Sequence, residues 1–244
     1  MKLAVCLSGQ PRFLDGPQIH SLKQNLLDKY DCDVYCHTWW SPDLPSYETS
    51  YNGVLQAKAD TIDTLQHVFR PKRLQYEAPL QNLPHPSNMR SMYESIRRSY
   101  LLVDTSINYD FIVRLRYDIF LDALPDVHKF EPTMLHCAHI AAPRNLFVNH
   151  CWFVPPQFAR DAFQLIDHIR DNETRIEEKI FEDAIRSRNI PMKQYSRSIF
   201  SSTRFRTDRI YRGFSEEDFM TSGILFISIV ILFILVTINL RKAS

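Results

Sequence analysis

The chain opens on a short apolar run, Leu3-Ala4-Val5-Cys6-Leu7, closed by Ser8-Gly9-Gln10-Pro11. A continuous apolar run with a turn at its end predicts a strand buried on both faces of a parallel sheet. Apolar positions then change to a helical period: Ile19, Leu22, Leu26 and Leu27 share one face of a helix over about 17–30. Residues 33–39 read as a second strand, followed by a polar loop with Pro42 and Pro45. Thr61–Phe69 predicts a short helix ending before Pro71, and Arg73–Tyr76 a third strand. Past the proline-rich loop 78–87, Ser87 or Asn88 can cap a long helix. Its buried face would be Met89, Met92, Tyr93, Ile96, Tyr100, Val103 and Ile107.

The run Asp110–Leu121 predicts one long strand. Its odd positions (Phe111, Val113, Leu115, Tyr117, Ile119, Leu121) are all apolar, whereas Ile112, Arg114, Arg116, Asp118 and Phe120 share the opposite face. Short strands at Ile140–Ala142 and Cys151–Val154 and helices at about 156–170 and 175–188 complete the pattern. Strands alternating with helices predict an α/β fold, a mostly parallel sheet with helices on both faces. In such sheets ligands sit beyond the carboxyl ends of the strands. That rule selects three places: Ser8–Arg12, His37–Trp40 with Thr38 and Trp39, and Arg116–Asp122.

The carboxyl-terminal region differs. Residues 219–240 are 22 without a charge, and 15 of them are Ile, Leu, Phe or Val. That is long enough for one transmembrane helix and leaves no polar face. Arginines 197, 204, 206, 209 and 212 precede it, against Arg241 and Lys242 after it. The positive-inside rule then predicts a single-pass anchor with the amino-terminal head in the cytoplasm. The first apolar run is too short for a signal-peptide core. The expected organisation is a head over 1–195, an Arg-rich linker over 196–218 and a span over 219–240.

Composition removes some function classes. Lys and Arg number 29 against 28 Asp and Glu, a net charge of +1, which argues against a nucleic-acid coat. Only 5 glycines occur, with no dinucleotide fingerprint and no P-loop. The 5 cysteines fit free thiols in a reducing compartment, since Cys32 and Cys36 lie about 13 Å apart along a strand. His136-Cys137-Ala138-His139 and His150-Cys151 contain zinc-type ligands, but their spacings match no common zinc site. No GxSxG elbow or supported Cys/His pair points to a hydrolase.

Among the chemistry-bearing residues, Gly9 permits close backbone approach to a ligand, and Arg12 can fork onto a phosphate or simply decorate a turn. Asp118 can hold Mg²⁺, Mn²⁺ or a sugar hydroxyl, with Asp122 assisting; it can equally form a buried ion pair with Arg116.

Cys6-Leu7-Ser8-Gly9-Gln10-Pro11-Arg12 resembles the opening of a group of viral and bacterial glycosyltransferases of GT-A fold, the nucleotide-diphospho-sugar transferase architecture. Trp39, the Asn88–Tyr93 helix and the run Tyr109–Asp118 extend the resemblance over about residues 1–190. It implies transfer of a sugar from a nucleotide-diphosphate donor to a hydroxyl acceptor (glycan, glycoprotein or glycolipid), with Ser8, Gly9, Gln10 and Arg12 on the nucleotide. It also implies that Arg116-Tyr117-Asp118 stands where relatives carry Asp-x-Asp, with Asp118 its last carboxylate and a divalent metal there. Arg116 departs from that pattern and can share in neutralising the diphosphate, together with Arg12 and Arg114. The Asn-Asp pair of relatives is replaced at Asn149-His150, so His150 becomes the candidate base. Trp39, Trp40 and Trp152 would wall the sugar or base. A catalytically degenerate, membrane-anchored binding module is the alternative.

Overall fold

The computed structural model describes residues 1–49, 53–81, 87–139, 147–170, 173, 175, 177–195 and 201–204. Contacts divide the chain into a main unit, Met1–Tyr47 with Leu55–Phe205, and a second one, Glu48–Val54 with Arg206–Ser244. The apolar segment 219–240, and the strand expected at 140–142, lie outside the described residues. Among the described residues no helix is long and apolar enough to cross a membrane.

The main unit begins with β1 (Lys2–Gly9) and α1 (Pro17–Leu22), which continues as a π-helical turn over Lys23–Leu27. Next come β2 (Asp31–Trp39) and a separate two-stranded sheet of β3 (Ser46–Thr49) and β4 (Gly53–Gln56). They are followed by α2 (Thr61–Phe69), β5 (Arg73–Glu77) and α3 (Ser87–Leu101). The second half contains β6 (Phe111–Leu115), β7 (Ile119–Ala123), β8 (Leu135–His139) and β9 (Phe147–Val154). It ends with α4 (Pro156–Phe163), α5 (Glu177–Ser187), β10 (Met192–Gln194) and β11 (Ser201–Arg204). The last strand falls inside the stretch read as a linker.

The large sheet runs β5-β2-β1-β6-β9-β8-β11-β7, with β10 paired to β8. Its first four strands are parallel. The sheet reverses at β6–β9 and β9–β8, which are antiparallel, so it is mostly parallel but mixed. Helices cover both faces. Leu3, Val5, Leu7, Val113 and Leu115 pack with Ile19, Leu22, Leu65 and Phe69 on one side. Ala4, Cys6, Tyr35 and Ile112 pack with Tyr93, Ile96, Phe163 and Phe181 on the other. Burial on both faces explains why β1 reads as an unbroken apolar run.

The expected single strand over 110–121 is two strands. Its odd positions do lie in one core, with Phe111 through Leu121 all on the α1/α2 side. However, the ladder stops at Leu115, a turn intervenes at Tyr117-Asp118, and β7 leaves to pair with β11. Arg116 folds its guanidinium onto Asp118, with Nε–Oδ1 2.7 Å and Nη2–Oδ2 2.9 Å. Thr38 on β2 holds the Tyr117 hydroxyl at 2.7 Å. Together these contacts fix a turn where alternation alone predicted extended chain.

Candidate functional site

The carboxyl end of β1 has the backbone freedom that the sequence required. Gly9 adopts φ 108°, and a Cβ there would meet nothing within 4 Å. Glycine is therefore demanded by the dihedral and not by crowding. Its N–H donates to Ser95 Oγ at 2.8 Å, anchoring the turn to α3. Ser8 is buried, and its Oγ has no hydrogen-bond partner among the described residues. Gln10 Oε1 accepts from Arg12 Nη2, which orients the guanidinium.

Arg12 and Asp118 meet. Arg12 Nη1 lies 3.8 Å from Asp118 Oδ2, and the Asp118 side chain is only 3% exposed. With the Arg116 fork, Asp118 faces two guanidiniums, so these three groups sum to one positive charge. The carboxylate thus works as an organiser of two cations, since charge-assisted bidentate pairing fixes orientation as well as energy. Arg12 also lines a cavity of about 440 Å³ with Phe13, Leu14, Asp15, Lys58, Asp60 and Thr61. The cavity lies beyond the end of β1, where the topology places ligands. On its rim Lys58 pairs with Asp15 at 2.8 Å, both largely exposed. The sequence reading did not single out Lys58 or the 55–64 segment, because nothing in their local pattern distinguishes them from an ordinary loop and helix start.

A second polar cluster joins His37, one of the selected strand-end residues, to Ser95 and Glu77, which the sequence does not single out. Ser95 Oγ is 2.8 Å from His37 Nδ1, and His37 Nε2 is 2.9 Å from Glu77 Oε1. Arg98 bridges Glu77 and Glu94, and Arg97 adds a second contact to Glu94. Burial pushes the His37 pKa below its ordinary 6.5, although Glu77 pulls the other way. A neutral His37 then donates from Nε2 to Glu77 and accepts the Ser95 hydroxyl proton at Nδ1. Serine, histidine and glutamate in line resemble a hydrolase relay. Ser95 and His37 have no exposed surface, however, and Ser95 already accepts from Gly9, so no substrate carbonyl reaches it. The signal in the sequence was Ser95 lying three residues after Met92 on the apolar stripe of α3.

Other expected site residues sit elsewhere. Trp39 is buried and donates Nε1–H to Ser91 O at 3.0 Å, with Arg98 over its ring. Trp152 stacks on Phe181 at 4.6 Å within the core. Trp40 is also buried and meets Tyr76 edge-on. All three are nearly sealed from solvent, Trp152 against core Phe181 and Trp40 beside the half-exposed Tyr76, so none presents the open ring face expected of it. Thr38 is likewise buried, occupied with Tyr117. Arg114, expected at the nucleotide, is 1% exposed. It donates to His150 O at 2.6 Å and lies over Trp152, so it ties β6 to β9 from within the core. His150 is half-buried, one step beyond the last ladder pair Leu115↔Cys151, which places it opposite Arg116. The Asp122 side chain lies outside the described residues.

The remaining cysteine and histidine chemistry is quiet. His136 is held by Tyr195 Oη and Glu131 O, both at 2.9 Å. The five cysteines are free thiols, and burial raises Cys36 to about 12 and Cys6 well above its ordinary value. Thiols held protonated are poor nucleophiles and poor metal ligands. A divalent metal at Asp118 does not fit this donor set. Both carboxylate oxygens are taken by guanidiniums, the neighbouring ligand position is itself a cation, and no group of three His, Cys, Asp or Glu side chains converges among the described residues.

No family model matches the chain, and no curated protein does. Solved structures do. A glycosyltransferase involved in glycosylation of the major capsid of PBCV-1 is 11% identical, covers 80% of this chain and 82% of its own, and superposes with a TM-score of 0.43. The apo-form glycosyltransferase GlyE of Streptococcus pneumoniae TIGR4 is 10% identical over 79% of this chain, with a TM-score of 0.44; the match spans 45% of that protein. A protein from Desulfovibrio desulfuricans G20 described as a nucleotide-diphospho-sugar transferase is 11% identical over 80% of this chain and 79% of its own, with a TM-score of 0.43.

Proposed function

We propose that this chain is a glycosyltransferase that moves a sugar from a nucleotide-diphosphate donor to a hydroxyl acceptor. The observation that carries the reading is the meeting of Arg12 and Asp118 beside a cavity at the carboxyl end of β1. Two segments more than 100 residues apart in sequence converge there. In the reaction, the bond from the sugar C1 to the diphosphate oxygen breaks, and its electron pair leaves with the nucleoside diphosphate. The acceptor oxygen bonds to C1, and its proton passes to a base, a role this reading assigns to His150. The leaving group gains charge as the bond breaks, and preorganised cations beside it lower the barrier. Arg12, oriented by Gln10 and Asp118, is placed to do so.

A non-catalytic sugar-nucleotide-binding module is the second reading. It is favoured by Arg116 standing beside a single described carboxylate, Asp118. A thermal-shift screen of UDP-, GDP-, CMP- and dTDP-sugars tests both. One donor at about 100 times its Kd is expected to stabilise the fold by about 2.7 kcal/mol. Release of nucleoside diphosphate then marks the enzyme, and stabilisation without release marks the binding module. No stabilisation by any donor would reject both. We further propose that residues 219–240 anchor the head to a membrane with the head on the cytoplasmic side. Protease added to sealed membranes is expected to digest the head; full protection would reverse that orientation.

A further inference from the structure

We infer that the cavity beyond β1 is a subsite for an uncharged sugar ring, and that Asp60 is the residue that turns carboxylated sugars away. The inference rests on the glycosyltransferase reading and deepens it by naming the charge class of the sugar. Three observations carry it.

The first is the charge of the wall. Arg12 and Lys58 line the cavity, and so do Asp15 and Asp60, so its own ionised groups sum to zero. Neither cation is idle: Arg12 Nη1 lies 3.8 Å from Asp118 Oδ2, and Lys58 Nζ lies 2.8 Å from Asp15 Oδ2. The second is Asp60. Its side chain makes no hydrogen bond among the described residues, and its charge reaches Lys58, whose pKa it helps to raise. It stands just before the first turn of α2, where the positive pole of the helix favours a carboxylate. Thr61 Oγ1 donates to Lys58 O at 2.6 Å and so fixes the turn that presents both Lys58 and Asp60. An entering anion therefore meets cations that are already engaged and a carboxylate that is not. An entering amine meets two cations. Like charges brought together in this way select against the wrong ligand, and an uncharged ring escapes both penalties. The third is what the rest of the wall offers. Gln56 and Thr64 line it with side chains that make no hydrogen bond among the described residues. An amide and a hydroxyl donate and accept, and an ionised carboxylate accepts. Sugar hydroxyls, donors and acceptors at once, can use all three. Leu14 and Leu55 add an apolar side for the C–H face of a ring. The volume of about 440 Å³ falls within the range of small-ligand sites, about 300–1,000 Å³.

The test is calorimetric titration of the purified full chain with matched pairs: UDP-glucose and UDP-glucuronic acid, UDP-galactose and UDP-galacturonic acid, GDP-mannose and GDP-mannuronic acid. The members of each pair differ only in a carboxylate at C6. A second arm uses the same sugars as methyl glycosides in the presence of UDP or GDP, which separates a donor sugar from an acceptor sugar. In at least one arm the best-bound neutral sugar is expected to bind about tenfold more tightly than its carboxylated partner, because a like charge is brought against Asp60. Asp60→Asn keeps the shape, and asparagine serves equally well before a helix. The unfolding temperature is therefore expected to hold while that ratio falls several-fold towards one. A carboxylated sugar bound as tightly as its neutral partner overturns the inference and leaves the glycosyltransferase reading standing. A ratio unchanged in Asp60→Asn does the same. A preference shown by methyl glycosides alone, with no nucleotide-sugar bound, keeps the sugar subsite and overturns the donor reading. Binding of none of these ligands overturns both.

Discussion

Two polar clusters stand at the carboxyl ends of neighbouring strands, and they are built for opposite purposes. Around β2 and α3, Ser95, His37, Glu77 and Arg98 form a closed chain in which each member is used by the next. At the end of β1, Arg12, Asp118 and Arg116 form an ion cluster, and Arg12 also lines a cavity. Both bury charged or polar groups, which is costly unless the groups are paired. The difference lies in what stands beside the pairing. The first cluster spends its hydrogen bonds holding the Gly9 turn in place, and the second sets Arg12 on a cavity wall. Burial of a polar network is therefore no sign of chemistry by itself; a buried charge that reaches a cavity is.

The comparison breaks most easily at Asp118. Asp118→Asn retains the shape but removes the charge that holds two guanidiniums together. Sugar-nucleotide turnover is expected to fall by about a hundredfold or more. Breaking a buried pair by removing one partner also costs about 3–5 kcal/mol of stability. Steady-state kinetics and urea unfolding on the same preparation check the two effects. Near-normal turnover in this variant would take Asp118 out of the site.

Ser95→Ala tests the other cluster and is expected to act in the reverse proportion. It strands the Gly9 N–H and the His37 ring nitrogen, a loss of about 1–3 kcal/mol. Because the Gly9 turn carries Arg12, donor KM is expected to rise more than kcat falls. Rescue by Ser95→Thr, which restores the hydroxyl, separates a positioning role from a packing one. A large loss of kcat at unchanged KM would contradict the assignment of this cluster to support.

How far the sequence carried these clusters is instructive. The alternation over 111–121 placed Phe111, Val113, Leu115, Tyr117, Ile119 and Leu121 in one core correctly, because period two survives a break in a strand. The break itself was invisible, since it depends on Tyr117 reaching Thr38, a partner 79 residues away. β8 was missed because His136 interrupts its apolar run; the ring is buried only because Tyr195 and Glu131 O satisfy it. Arg12 and Asp118 were legible as strand-end residues, by the rule that parallel sheets bind ligands there. Trp39 is selected by the same rule and Trp152 as a further aromatic wall, and both are buried in the core. A tryptophan looks alike in the sequence whether it faces a ligand or Phe181, and only packing against another element decides.

A milder perturbation is pH. Burial depresses His37 below its ordinary 6.5, so the unfolded chain takes up that proton first and folding stability falls as pH drops below about 6.5. His136 and His168, both lowered by burial, act in the same sense. Burial works against Glu77 and Glu94, but hydrogen bonds from Arg98, His37 and Arg97 outweigh it, holding both below their ordinary 4.5. Their contribution is intact above 4.5 and is lost as pH falls further. The urea midpoint is expected to be level near pH 7, to decline from about pH 6.5, and to steepen in the carboxylate range. His37→Gln should flatten the upper part of that decline and leave the histidine contribution of His136 and His168. A midpoint that rises between pH 7 and 5 would contradict the neutral His37 on which the hydrogen-bond directions depend.

The smallest expected effect lies at the cavity rim. Lys58 and Asp15 raise and lower one another's pKa in the directions an ion pair requires, with their mutual hydrogen bond the leading cause on both sides. Both side chains are nonetheless mostly in solvent, where such pairs contribute about 0–1 kcal/mol. Asp15→Asn is therefore expected to leave the urea midpoint nearly unchanged. It should, however, tighten nucleoside-diphosphate binding a few-fold, since an anion leaves the cavity wall. The gain should shrink as salt rises, because an exposed charge is screened over about 10 Å at 0.1 M. A midpoint shift without any change in affinity would place the pair among the elements that hold the loop, and would move the boundary between the two clusters to include it.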